Sequence, residues 1–286
     1  MGIRLGADTL CWHLRLERGA ISIEQVLEEC ADLRCQCVQA NLHHVRDQEI
    51  PFLRHLADRA ADLGLVLLAS GDFLGEGRSG EDPEVGADRV RGWLERAVAL
   101  GSPILRLVSG FYRAELFGRP DLVELERRYV VEVLRRAVPE AAAASVTLLL
   151  ENHSDFTAEE YLSIVEDVGD DRVGVFLDLI NPIAALDDPA PVVTALAPLA
   201  HAGHVKDYIF RSIPTDDGYH RRGFEVLYRY PGEGVAELPA LVGALRHGLE
   251  EREFFLTVEG LDNRPDVADQ RERLSASLAL LRGLVA

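Results

Sequence analysis

Residues 146–182 read VTLLLENHSDFTAEEYLSIVEDVGDDRVGVFLDLINP, and they hold one complete strand–helix–strand unit. The short apolar run 146–150 ends in Glu151, and the run 173–177 ends in Asp178. Between them, 157–168 places apolar residues three and four apart with acidic residues in the gaps, which is the period of an amphipathic helix. Thr157 followed by Glu160 is a capping box at its start, and Gly169 is a helix stop. A charge at the C-terminal end of a buried strand is costly unless it is paired or binds a metal. Both strands of this unit carry one, 27 residues apart.

The pattern continues outward. His204 follows LAHAG, 26 residues beyond Asp178, and Glu259 follows FFLTV. Strands are expected at 3–7, 35–40, 65–70, 103–108, 146–150, 173–177, 202–205 and 254–258. Helical stretches fall at 22–33, 47–63, 83–100, 121–144, 157–168, 189–199, 238–250 and 267–284. Eight such units in 286 residues predict an α/β chain folded as a (β/α)8 TIM barrel, one domain over 1–286. An open doubly wound sheet is the competing architecture, but no GxGxxG follows the first strand. In a parallel barrel the C-terminal strand ends are where catalytic residues gather, so Glu151, Asp178, His204 and Glu259 are expected to converge. One connection is irregular. The 55 residues from His204 to Glu259 are twice the usual unit, and the excess, 207–237, is expected to be a long loop that shapes the active face.

Composition narrows the partners. Lys and Arg number 30 against 48 Asp and Glu, a net charge of −18, which repels phosphate backbones and makes nucleic acid an unsuitable partner. No apolar run approaches the roughly 20 residues needed to span a bilayer, so no membrane association is expected. Met1 leads straight into the first strand with no signal peptide pattern. The four cysteines, Cys11, Cys30, Cys35 and Cys37, lack a CxxC spacing and read as reduced packing residues of a cytoplasmic protein, with Cys35 and Cys37 sharing one strand face. An apolar helix face serves either core or a second copy, so a homo-oligomer stays open.

Three carboxylates and one imidazole suit a single divalent cation of the Mn²⁺, Mg²⁺ or Co²⁺ kind, and leave about two octahedral positions free. Two adjacent oxygens of an α-hydroxy carbonyl fit there. A metal on the carbonyl oxygen acidifies the neighbouring C–H by stabilising the enediolate, and a carboxylate beside that carbon takes the proton. Return from the opposite face inverts the centre. Return to the adjacent carbon interconverts ketose and aldose. Glu151 and Glu259, from opposed parts of the wall, are the natural acid/base pair, with Asp178 and His204 as plain ligands.

These residues resemble a known family. ENH after the fifth strand, D-x-x-N-P after the sixth, H-V-K-D after the seventh, a P-G-E-G turn and T-V-E-G on the eighth are similar to the xylose-isomerase-like sugar phosphate isomerase/epimerase superfamily. The likeness is firm over residues 147–260 and architectural over the first 140. It implies one divalent metal, Mn²⁺ first with Mg²⁺, Co²⁺ or Zn²⁺ as alternatives, held by Glu151, Asp178, His204 and Glu259, with the two glutamates moving the proton. Free-ketose 3-epimerases of the superfamily tend to carry His where this chain has Asn181, so the sequence looks more like the pentulose-phosphate branch. The expected substrate is a sugar, sugar phosphate or related keto-polyol. Lyases and dehydratases share the fold and the metal set, acting on a keto-inositol, a dehydroshikimate or a 3-keto glycoside. An apurinic-site endonuclease would need a zinc cluster with more histidines, and SGDF at the third strand end has none.

Other candidates for substrate contact are His153, Asn181, Lys206, Trp12, His43 (or its neighbour His44), Arg221 and Arg222. Each has a plainer reading. Lys206 pairs with Asp207 at the rim, Trp12 is core, Asn181 belongs to the turn that Asp178 caps, and the loop arginines are solvated. His201 is expected to precede its strand. Arg106, inside an apolar run, is expected to form a buried ion pair with a carboxylate.

Overall fold

Ten strands are present among the described residues: β1 (Ile3–Asp8), β2 (Cys37–Ala40), β3 (Val66–Phe73), β4 (Ile104–Val108), β5 (Thr147–Glu151), β6 (Val173–Phe176), β7 (Ala200–Val205), β8 (Asp207–Ser212), β9 (Phe224–Arg229) and β10 (Phe254–Val258). The computed structural model describes residues 2–75, 80–215, 222–260 and 270–286. All but β8 and β9 pair in parallel and close in the order β1-β10-β7-β6-β5-β4-β3-β2. A helix follows each ring strand, from Ile23–Asp32 to Gln270–Val285, which makes the chain a (β/α)8 TIM barrel.

Local signals behave as their chemistry predicts. Ser22 with Gln25 and Thr157 with Glu160 form reciprocal capping boxes, and Gly169 closes its helix at φ 69°. Every ring strand lies within three residues of its expected bounds, and two of the shifts matter. β2 begins at Cys37, so Cys35 sits before it in the layer between helices and ring, while Cys37 belongs to the apolar cluster inside the ring. The two therefore do not share a face. All four cysteines are buried and free. β7 begins at Ala200, which puts His201 inside the strand rather than ahead of it.

The long connection is not a plain loop. β8 and β9 pair antiparallel, Asp207 opposite Arg229 through Ser212 opposite Phe224. Asp207 does not pair with Lys206. Its carboxylate accepts the backbone N–H groups of Gly232, Gly234 and Ala236 at 2.9–3.1 Å, and so ties the P-G-E-G turn to the end of β7.

The ring interior has two levels. Below lies an apolar plug of Cys37, Leu68, Ile104, Leu149, Phe176, Ala202 and Phe255. Two residues further along each of these strands come Gln39, Ser70, Arg106, Glu151, Asp178, His204 and Thr257. Side chains alternate along a strand, so a step of two keeps the inward direction and moves up one level. The plug ends and the polar level begins at the C-terminal rim. At Gly203, beside His204, any Cβ would stand 2.0 Å from the Leu177 carbonyl, so only glycine lets β7 approach its neighbour this closely.

Candidate metal centre and pocket

His204 is the hub of the polar level. It is fully buried, and its Nδ1 stands 3.5 Å from Glu151 Oε1, 3.7 Å from Asp178 Oδ2 and 3.4 Å from Glu259 Oε1. Its other nitrogen, Nε2, lies 2.9 Å from Gln39 Oε1. Gln39 is oriented from elsewhere, since its amide nitrogen donates to Ser70 Oγ at 3.0 Å and its oxygen also accepts from Thr257 Oγ1. That oxygen faces His204, so Nε2 carries a proton, and in the neutral ring Nδ1 would point its lone pair at three carboxylates. Nδ1 is buried and has no hydrogen-bond partner.

The two glutamates are placed as mirror images. Each turns Oε1 toward His204 Nδ1 and gives Oε2 to a cation: Arg106 for Glu151, Lys206 for Glu259. Lys206 Nζ also lies 2.5 Å from Asp178 Oδ2. Asp178 is further held by backbone N–H groups of Ile180 and Asn181 on Oδ1, at 2.8 Å each. Asn152 bridges the ends of β5 and β6, bonding both the N–H and the C=O of Asp178. Asp8, at the end of β1, is fully buried, 3.5 Å from His204 Nε2.

Charge accounting follows from these partners. Asp8, Glu151, Asp178 and Glu259 are four buried carboxylates, and Arg106 and Lys206 are the two cations among them. With His204 neutral, as a metal ligand must be, two negative charges are left uncompensated, which matches one dication. Burial works to raise Glu151, but Arg106 and then His204 outweigh it and hold the carboxyl at about 2. Burial is likewise outweighed by Lys206 and His204 at Asp178 and Glu259, both held below the usual range. Burial pushes His204 down, while Glu259, Asp178, Asp8 and Glu151 push it well above its usual value. Those carboxylates favour the imidazolium while no cation is bound, and a metal ligand must give that proton up. The oxygens stand 3.4–3.7 Å from Nδ1, a spacing that ligands of one ion also keep when each is about 2.1 Å from the metal. Glu151, Asp178 and His204 thus bring one ligand atom each within 4.8 Å of one another, a spacing that fits a divalent cation, and Glu259 Oε1 lies 3.4 Å from the same imidazole nitrogen.

The other expected contacts separate. His43 and His153 line a cavity of about 190 Å³ that also touches Arg46, Asp72, Phe73 and Arg106. Asn181 is 3% exposed and donates its amide to Glu151 Oε1 at 3.1 Å, so it positions a ligand rather than facing the cavity. Lys206 is 1% exposed, in the centre of the cluster and not at the rim, with Tyr228 of β9 over its ammonium at 4.8 Å. Trp12 is fully buried, its indole N–H on Glu29, and is core. Arg222 is exposed at the start of the hairpin's second arm, and Arg221 lies outside the described residues. Arg106 forms the expected buried ion pair.

Gln39, Asp8, Ser70 and Thr257 were not singled out from the sequence. Their signal is phase: each stands two residues past an inward position of its strand. Gln39→Leu is expected to free the His204 ring and weaken divalent metal binding about 10–100-fold with little change in fold, as read by equilibrium dialysis. Unchanged affinity would show that Gln39 does not orient the ligand.

A family model described as xylose isomerase-like TIM barrel matches residues 16–282. No curated protein matches the chain significantly. Among solved structures, a D-psicose 3-epimerase crystallised with D-fructose superposes with TM-score 0.73 at 19% identity, covering 98% of this chain and 99% of that one. The IOLI protein with a binding zinc atom gives 0.69 at 16% identity, covering 100% and 98%. A probable 3-DHS dehydratase, AsbF of Bacillus anthracis, gives 0.67 at 15% identity, covering 98% of each.

Proposed function

Since this chain belongs to the xylose isomerase-like TIM barrel family, we propose that it is a divalent-metal-dependent isomerase or epimerase of a sugar, sugar phosphate or related keto-polyol. The observation that carries this is the orphaned Nδ1 of His204 among three buried carboxylates with two negative charges uncompensated. Glu151, Asp178, His204 and Glu259 would hold the ion, Mn²⁺ by the hardness of the set. When bound, the ion supplies Lewis-acid polarisation of a carbonyl oxygen.

The chain's own residues do the rest. Glu151 on β5 and Glu259 after β10 stand three places apart round an eight-strand ring, so they reach a bound carbon from nearly opposite sides. One removes the proton beside the carbonyl and the other returns it. Arg106 and Lys206 keep both ionised until then. Asn181 and Asn152 hold Glu151 and Asp178 in register. His153, Arg46 and His43 line the cavity next to Arg106 and offer hydrogen bonds to substrate hydroxyls. No helix among the described residues is long and apolar enough to cross a membrane. Four buried free thiols suit the reducing cytoplasm, and the acidic surface suits a small carbohydrate-like partner rather than nucleic acid.

Elimination is the second reading, and His153 favours it. The ring sits in the cavity beside Tyr112 and Phe73, where it can protonate a β-leaving group. The test is incubation of the Mn²⁺-loaded protein in D2O with a panel of ketoses, ketose phosphates and keto-polyols. An isomer carrying one deuterium next to the carbonyl is expected, and EDTA abolishes it. A product lighter by one water would replace the first reading with the second, and activity that survives metal removal would overturn both.

A further inference from the structure

The turns that follow β1 and β2 bring three more imidazoles together outside the barrel centre. His13 opens the short helix His13–Glu17, and His43 and His44 lie in the turn Leu42–Val45. The ring centroids form a nearly equilateral triangle: 5.1 Å for His13–His43, 5.4 Å for His13–His44 and 5.4 Å for His43–His44. One nitrogen from each ring lies within 4.8 Å of the other two. Glu17, one helical turn after His13, places Oε1 3.4 Å from His13 Nε2 and 3.5 Å from His43 Nε2.

The far side of this cluster is also built. His44 Nδ1 lies 2.8 Å from Thr9 Oγ1, and that oxygen already accepts the Asn41 N–H at 3.1 Å. A hydroxyl oxygen has room for both donors, so His44 can give its Nδ1–H to Thr9 and keep the Nε2 lone pair toward His13, 3.2 Å away. A ring whose second nitrogen is tied to a fixed acceptor is the usual state of a metal-ligating histidine. Three imidazoles within reach of one ion make an N3 set, and the Glu17 carboxylate beside two of them adds negative charge at its edge. Such a set prefers borderline ions such as Zn²⁺, whereas the three carboxylates and single imidazole of the barrel centre prefer harder ones.

We propose that His13, His43 and His44, with Glu17 at their edge, form a second metal site, for Zn²⁺ or a cation of the same softness, separate from the barrel centre. His43 also lines the cavity beside Arg106 and His153, so an ion held here stands at the cavity edge. The site does not depend on the proposed reaction.

Zinc per chain after equilibrium dialysis of the full-length protein against ZnCl2 tests it. The double variant His13→Ala/His43→Ala is expected to carry one zinc fewer than the unaltered chain. These two side chains are partly or largely solvent-exposed, so the fold is expected to survive, checked by circular dichroism. Glu17→Gln is expected to weaken the same zinc without removing it. His204→Ala is expected to keep it, since that residue serves the other centre. A double variant with the zinc content of the unaltered chain overturns the proposal. So does loss of the same zinc from His55→Ala, an exposed histidine beside Glu24, because that result marks adventitious surface binding.

Discussion

Glu151→Gln and Glu259→Gln are each expected to lower turnover by about 10²- to 10⁴-fold, the usual contribution of a positioned proton carrier. Glutamine keeps the length of the side chain and one oxygen facing His204, but it cannot accept the proton. The mirrored placement of the two glutamates makes a sharper expectation for a pair of epimers. Under the proposed function each epimer presents its hydrogen to a different face, and each face would have its own glutamate. Exchange of the substrate α-proton with solvent should therefore survive in Glu151→Gln with one epimer and in Glu259→Gln with the other, while interconversion stops in both. Following deuterium uptake by NMR reads this directly. A variant that keeps full exchange with both epimers removes that glutamate from proton transfer. Because Arg106 or Lys206 loses its partner in these variants, melting temperatures with and without Mn²⁺ are needed to show that the fold is retained.

Lys206→Met is expected to destabilise the metal-free protein by about 3–5 kcal/mol, the usual result of removing one partner from a buried ion pair. Lys206 is 1% exposed and answers two carboxylates at once, Asp178 and Glu259. Methionine keeps the stem and deletes the charge, which raises the uncompensated negative charge from two to three. A divalent cation should then recover much of the loss, so the gap in melting temperature is wide in EDTA and narrows with Mn²⁺. The gap should also close in acid. Both carboxylates are held below the usual range, with burial opposing and Lys206 the chief cause in favour. Their pairing therefore stabilises the fold above the ordinary carboxylate pKa of about 4, and this is lost as pH falls through the depressed values. A variant as stable as the unaltered chain in EDTA at neutral pH would show that the lysine contributes nothing to holding the cluster.

The eight strand–helix units and the four strand-end residues were legible in the linear chain. A strand buried on both faces is a short apolar run, and a charge at its end stands out because burying one alone is costly. Glu151, Asp178, His204 and Glu259 each follow such a run, so periodicity was enough to place them on one rim. Arg106 was visible for the same reason, as a charge within an apolar strand.

What only the closed ring decided is which groups meet. Gln39 and His204 are 165 residues apart, and their bond exists because β2 and β7 both project inward at the same level. A neutral glutamine in CVQA carries no local sign of that role. Lys206 could be assigned to the rim or to the site until the strand's inward phase put it between Asp178 and Glu259. Trp12 follows β1 as a pocket residue would, yet Glu29 takes its indole N–H and holds it in the core. The imidazole triangle likewise needs the turns after β1 and β2 to be neighbours, which parallel pairing of those strands brings about. Spacing along the chain sets the height of a residue in the barrel and the face it presents. Its partners come from strands far away in sequence, and closure of the ring alone brings them within hydrogen-bond reach.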